Sequence, residues 1–148
     1  FFTTSILFNS LKQPLAVIFV IPISYIGVFL TFYWFKLNFD QGGFASFVLL
    51  CGITVNASIY ILNEYNQIQE RIPAISPIRA YLKAWNAKIT PIFLTVISTI
   101  LGFIPFMLGT DKEAFWFPLA AGTIGGLIMS ILGIFFYLPI FTLKKERH

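Results

Sequence analysis

Long apolar stretches dominate the order of hydrophobic and polar positions along this chain. Four of them contain no Asp, Glu, Lys or Arg and run over residues 13–35, 42–63, 89–108 and 115–143. A helix rises about 1.5 Å per residue, so about 20 apolar residues cross a hydrocarbon layer about 30 Å thick. The pattern therefore predicts four transmembrane helices, and the segment 1–10 predicts the end of a fifth.

Composition strengthens this prediction. Of all residues, 57% are hydrophobic and only 11% are charged, whereas a soluble domain has about a quarter charged residues. We therefore expect an all-α membrane protein, a polytopic transmembrane helix bundle surrounded by a lipid bilayer. The chain begins inside a predicted helix at Phe1, without an initiator methionine or a signal peptide, so we expect a fragment of something longer.

The longest polar connection runs over residues 64–88 and carries its own helix signal. Ser76 followed by Pro77 is typical of a helix start, with serine as the N-cap and proline in the first turn. Apolar side chains then fall on one face, which predicts a short amphipathic helix over 77–87 lying along the membrane surface. We interpret it either as an anchor or lever between two spans, or as a loop that happens to be helical.

Basic residues concentrate at one end of the predicted bundle. That end holds Lys12, Arg71, Arg79, Lys83, Lys88, Lys144, Lys145 and Arg147. The other end holds only Lys36 and Lys112, together with three acidic residues. Because basic residues favour cytoplasmic loops, the connection 64–88 and a tail over 144–148 are predicted to be cytoplasmic. This orientation explains the net charge of +4 without a nucleic-acid partner.

Few residues offer the chemistry of a soluble enzyme. Cys51 and His148 are each the single member of their type, so neither a disulfide nor a metal-binding cluster is expected. Cys51 is interpreted as a small buried hydrophobe. The chain has no nucleophile elbow, phosphate loop or pair of carboxylates within a span. We therefore expect no enzyme, no metal site and no bound cofactor.

An amide in the second full span needs an explanation. Asn56 lies in the middle of an apolar run, and unlike a serine or threonine it does not easily return a hydrogen bond to the preceding turn. It needs a partner on another helix. From the residues alone, two interpretations stay open: a hydrogen bond that holds helices together, or a role on an ion pathway.

Prolines and glycines mark places where the predicted helices bend or pack closely. Pro22, Pro105 and Pro139 lie inside apolar runs, where each frees a backbone carbonyl and permits a kink. A small-xxx-small pair in the last span predicts close approach of another helix. It consists of Gly122 and Gly126, with Gly125 beside them.

Three longer motifs follow one another along the chain. They are GITVNASIYILNEYNQ at 52–67, KITPIFLTVISTILGFIPFMLG at 88–109 and EAFWFPLAAGTIGGLIMSILGIFFYLPIFTL at 113–143. In order and spacing they resemble the last three membrane helices of resistance-nodulation-cell division (RND) transporters. Residues 11–30 likewise resemble the ninth helix of that family, and residues 1–10 then correspond to the end of the eighth. The resemblance spans essentially the whole chain.

The resemblance implies a fragment of a 12-helix proton antiporter of the bacterial inner membrane, usually a trimer with large periplasmic domains. Members of the family expel drugs, detergents, lipids or metal ions through a periplasmic adaptor and an outer-membrane channel. The proton gradient drives this multidrug efflux, so no cofactor is implied. The proton relay of the family uses two aspartates on the fourth helix, which is not among these residues.

Several residues match positions near that relay, and their roles are implied by the resemblance. Asn56 matches a tenth-helix site that is lysine or asparagine in the family. Thr95 matches the eleventh-helix threonine beside the relay, and Lys88 stands at the first arginine of the R-x-R-P motif, at the cytoplasmic mouth. Positions implied to set helix packing or kinks are Pro91, Gly102, Pro105, Gly122, Gly125 and Gly126.

The chain departs from the family pattern within these motifs. Ala57, Thr90 and Phe117 replace an asparagine and two arginines, and the common acid falls at Asn63, with Glu64 one place later. A lost ion pair or weakened coupling is the expected consequence, or a different substrate branch. Two alternatives therefore stay open: a structural or degenerate membrane module without transport of its own, and an exporter of the heavy-metal branch.

Overall fold

The computed structural model describes residues 1–109 and 115–143. They form the helices α1 (Phe2–Phe8), α2 (Lys12–Phe35), α3 (Gln41–Arg71), α4 (Pro77–Leu108) and α5 (Trp116–Leu143). These described ranges contain no strand, and α2 to α5 are each long and apolar enough to cross a membrane. The predicted all-α membrane bundle is confirmed. The predicted tail, 144–148, lies outside the described residues.

Polar side chains determine where α3 and α4 begin. The carboxylate of Asp40 accepts hydrogen bonds from the backbone N–H groups of Gly42 and Gly43, at 3.0 and 3.4 Å. The hydroxyl of Ser76 accepts one from the N–H of Arg79 at 3.4 Å, and a proline follows as the first helical residue. Each cap satisfies N–H groups that have no partner within their own helix.

The structure differs from the prediction that residues 64–88 form a connection with a separate surface helix over 77–87. α3 continues to Arg71, and the predicted surface helix 77–87 is joined to the following span in one helix of 32 residues. Pro91 lies inside α4 and does not end it; membrane helices tolerate a proline because the backbone can kink and its freed carbonyl can be satisfied by neighbouring groups. The helices also continue through Pro22, Pro105 and Pro139. At about 1.5 Å per residue, α4 is about 48 Å long and exceeds the hydrocarbon layer.

The first part of α4 packs into the bundle. Tyr81 is 2% exposed, and its hydroxyl donates a hydrogen bond to the backbone carbonyl of Ile134 in α5 at 2.8 Å. The ring of Trp85 lies 4.8 Å from the ring of Phe135, also in α5. These contacts place the segment within the bundle, and its role as an anchor or lever, or as a loop that happens to be helical, stays a prediction.

Two glycines bring the backbones of α2 and α5 together, in the most extensive helix pairing of the bundle. A Cβ on Gly27 would collide with the backbone carbonyl of Gly125, and a Cβ on Gly125 would collide with the hydroxyl of Thr31. That hydroxyl itself donates to the carbonyl of Gly27 at 2.8 Å. The two helices are therefore too close at this contact for a side chain at either glycine.

A second glycine face of α5 packs on α3. A Cβ on Gly122 would lie 2.8 Å from Oγ of Ser46, and one on Gly126 would collide with the side chain of Leu50. α5 thus contacts α2 and α3 through different faces and is the central helix. A Cβ on Gly102 of α4 would meet no described atom within 4 Å, so the packing role of Gly102 stays a prediction.

We expect Gly125→Ala to destabilise the bundle, because the added methyl group would overlap Thr31. Overpacking of this kind costs about 1–3 kcal/mol. Unfolding in detergent, followed by circular dichroism, measures the loss. Gly102→Ala is the matched control, since it adds the same methyl group where space is open. An equal loss in both variants would contradict the prediction.

Tyr81→Phe tests the anchor between α4 and α5. It removes one buried hydrogen bond and keeps the ring, so the free energy of unfolding should fall by about 1 kcal/mol. Tyr33→Phe removes the same hydroxyl from a side chain that is 86% exposed and should change little. The same detergent unfolding experiment compares the two, and a neutral Tyr81→Phe would show that the hydrogen bond does not hold α4.

Candidate functional site

A cavity of about 100 Å³ lies between α3, α4 and α5 and contains the residues to which the sequence motifs point. Asn56 of α3 and Thr95 of α4 both line it, and Ser130 of α5 adds a third polar group. The remaining wall consists of Ile53, Ala57, Tyr60, Pro91, Ile92, Val96, Ile131 and Ile134. The fold therefore brings Asn56 and Thr95, 39 positions apart in the sequence, to one small site.

Asn56 has no hydrogen-bond partner among residues 1–109 and 115–143. The partner that the sequence leads us to expect on another helix is therefore not found in this part of the chain. A shallow groove on the open side of α3, lined in part by Gly52 and the half-buried Cys51, also reaches Asn56. The side chain of Asn56 is exposed in the described part of the chain, so its amide is free to bind a polar group from outside these residues.

Two of the hydroxyls around the cavity already donate their protons, and Tyr60 of α3 adds a third hydroxyl to the wall. Thr95 donates to the carbonyl of Pro91 at 2.9 Å, and Ser130 donates to the carbonyl of Leu127 at 2.7 Å. The oxygens of Thr95 and Ser130 can therefore only accept a further hydrogen bond, whereas the amide of Asn56 can donate or accept. The site thus offers acceptors on α4 and α5 and a donor on α3.

An ion pair joins α3 to α4 at the basic end of the bundle, which is the end where Lys12 and Arg71 lie. Nζ of Lys88 lies 3.3 Å from Oε2 of Glu64, and the two side chains are 36% and 20% exposed. Glu64 follows Asn56 by about two helical turns, so the pair lies between the cavity and the basic end. The expectation of a lost ion pair at the positions that depart from the family motifs stays a prediction, and Lys88 with Glu64 forms an ion pair of its own.

Two polar features were not anticipated from the sequence. Gln13 of α2 and Asn66 of α3 exchange two side-chain hydrogen bonds, of 2.9 and 2.8 Å, at the basic end. Neither residue type signals such a partner 53 positions away. The second feature is Ser130, which continues the four-residue spacing of Gly122 and Gly126 and would have been found by extending that face.

Comparison with protein families shows to which family the chain belongs. A family model described as the AcrB/AcrD/AcrF family matches residues 1–144. The chain belongs to that family. It is a membrane-embedded part of an RND transporter, and the RND resemblance of its motifs is confirmed. The match includes all five helices, and with them the cavity and the ion pair.

Neutralising the charges of the ion pair, and then exchanging them, tests how much the pair contributes to the free energy of unfolding. Glu64→Gln and Lys88→Gln should each lower the free energy of unfolding by about 1 kcal/mol or less, because both side chains are partly exposed. Glu64→Lys and Lys88→Glu should each lower the free energy of unfolding when made alone, because each places two like charges together. The double variant that carries both substitutions should recover the lost stability. A double-mutant cycle in detergent measures this coupling, and the exposed Glu70→Gln is the control. Purely additive losses would contradict the interaction.

Proposed function

We propose that this chain forms part of the membrane domain of a proton-driven RND exporter, in which Asn56 and Thr95 border the proton-exchange site. The exporter exchanges protons for drugs, amphiphiles or lipids, uses the proton gradient without a bound cofactor and carries out no enzymatic reaction. The observation that carries the proposal is the unpartnered amide of Asn56 in a cavity shared with Thr95.

The cavity chemistry suits a carboxyl group that gains and loses a proton. A protonated carboxyl donates one hydrogen bond, which the oxygen of Thr95 or the carbonyl of Asn56 accepts. An ionised carboxylate only accepts, and the amide NH₂ of Asn56 donates to it. Asn56 lies on α3 and Thr95 lies on α4. When the carboxyl group gains or loses its proton and changes its hydrogen-bond partner, its contacts with these two helices therefore change. The carboxyl group belongs to a helix outside these 148 residues.

A neutral Asn56 sets this site apart from one that carries a lysine. A nearby ammonium group lowers the pKa of a carboxyl, since it stabilises the ionised form, whereas an amide acts only through hydrogen bonding. The carboxyl in this exporter therefore keeps its proton to a higher pH than it would beside a lysine. Asn56→Lys should accordingly move the pH profile of transport to lower pH.

The proposed setting is the bacterial inner membrane, with the basic end and the C-terminus in the cytoplasm. Exposed Arg71, Arg79 and Lys83, together with Lys12, support this orientation by the positive-inside rule. The remaining helices and the periplasmic domains complete a homotrimer that delivers substrate to a periplasmic adaptor and an outer-membrane channel.

Substitutions in the full-length transporter test the proposal. Asn56→Leu and Thr95→Val should each reduce efflux driven by an imposed pH gradient in proteoliposomes, about tenfold or more. The reason is that a hydrogen bond to a charged group contributes about 1.5–3 kcal/mol. Thr95→Ser should retain activity, because it keeps the hydroxyl.

Thr99→Val is the matched control. Thr99 lies one turn from Thr95 and donates the same kind of bond, to the carbonyl of Thr95 at 2.8 Å, but does not line the cavity. It should leave coupled efflux unchanged. Intact coupled efflux in both cavity variants would overturn the proposal and favour a structural module, in which Asn56 serves only to hold helices together.

A further inference from the structure

The first turns of α4 carry a basic surface whose side chains are exposed in the described part of the chain. Arg79 and Lys83 lie one turn apart and are exposed. Ile78 and Leu82 lie beside them, 62% and 47% exposed. Among residues 1–109 and 115–143 neither basic side chain takes part in an ion pair. We call these four residues the α4 basic face.

The bundle holds this face outward. Ala80, Tyr81 and Ala84, on the opposite side of the same turns, are at most 2% exposed, and Tyr81 is bonded to α5. Positions 78, 79, 82 and 83 are neighbours on the helix surface because they are spaced by one turn. Residues 77–88 contain no acid, so the charge of the face is not neutralised from within its own segment.

The length of α4 places the face at the membrane boundary. The charge-free run 89–108 is enough to cross the hydrocarbon layer. Lys88 directly precedes that run. Along the helix axis, Lys83 lies about 8 Å from Lys88, and Arg79 lies about 14 Å from it, both on the side away from the run. Headgroups occupy roughly the first 5–8 Å outside the hydrocarbon, and long basic side chains span the remaining distance.

We propose that the α4 basic face binds the headgroup of an anionic phospholipid. Arg79 and Lys83 contact the phosphate, for which the guanidinium group offers paired donors. A zwitterionic lipid carries its own ammonium group beside the phosphate, so two unpaired cations select a lipid with net negative charge. Each basic residue near such a surface strengthens binding by roughly fivefold.

The three tryptophans make the binding measurable. Trp34 ends α2 and Trp116 begins α5, both at the end opposite the basic face, whereas Trp85 lies two residues from Lys83. Trp34→Phe with Trp116→Phe therefore leaves Trp85 as the only reporter. The whole chain is reconstituted into phosphatidylcholine vesicles that contain either brominated phosphatidylglycerol or brominated phosphatidylcholine, because bromine quenches nearby tryptophan fluorescence.

Brominated phosphatidylglycerol should quench Trp85 more strongly at equal mole fraction, with a relative binding constant of about five or more. Arg79→Gln with Lys83→Gln should bring this constant to about one. Lys36→Gln removes an exposed cation at the other end and should leave it unchanged, while circular dichroism confirms that each variant is folded.

Equal quenching by the two lipids would overturn the proposal. The proposal also fails if the variant with Arg79→Gln and Lys83→Gln still prefers phosphatidylglycerol. It fails likewise if Lys36→Gln loses that preference to the same extent. The measurement needs no transport, so its outcome is independent of the proton-exchange site.

Discussion

The close approach of α2 and α5 at Gly27 and Gly125 is the contact on which the rest of the bundle depends. In a bilayer, lipid tails are as apolar as the helices, so the hydrophobic effect gives little drive for association and close packing must supply it. Because α5 also presents Gly122 and Gly126 to α3, one helix organises two neighbours. Any side chain at these positions would separate the backbones and weaken the pairing.

α4 is held differently from the other long helices. In its most apolar window 11% of the residues are buried, against 39% for α2, so most of its length is not covered by the described chain. Its polar contacts, at Tyr81 and at Lys88, lie towards the basic end. Near its other end, the ring of Phe106 stacks on the ring of Trp116 in α5 with centroids 5.0 Å apart, so α4 contacts α5 towards both of its ends.

The ion pair is a polar link between α3 and α4. Lys88 has a flexible stem of four carbons, and it reaches Glu64 at 3.3 Å. The link between α3 and α4 therefore does not require the acid at position 63, which is Asn63 in this chain.

The sequence by itself determined the helices, because a bilayer demands long charge-free runs, and its motifs identified the family and pointed to Asn56, Thr95 and Lys88. Only the tertiary structure decided that 77–87 belongs to α4 and that Glu64 is the partner of Lys88. It also decided which glycine faces which helix, and that no residue of the described ranges pairs with the Asn56 amide. These features depend on the rotation and distance of helices far apart in sequence, and spacing along a single chain does not encode them.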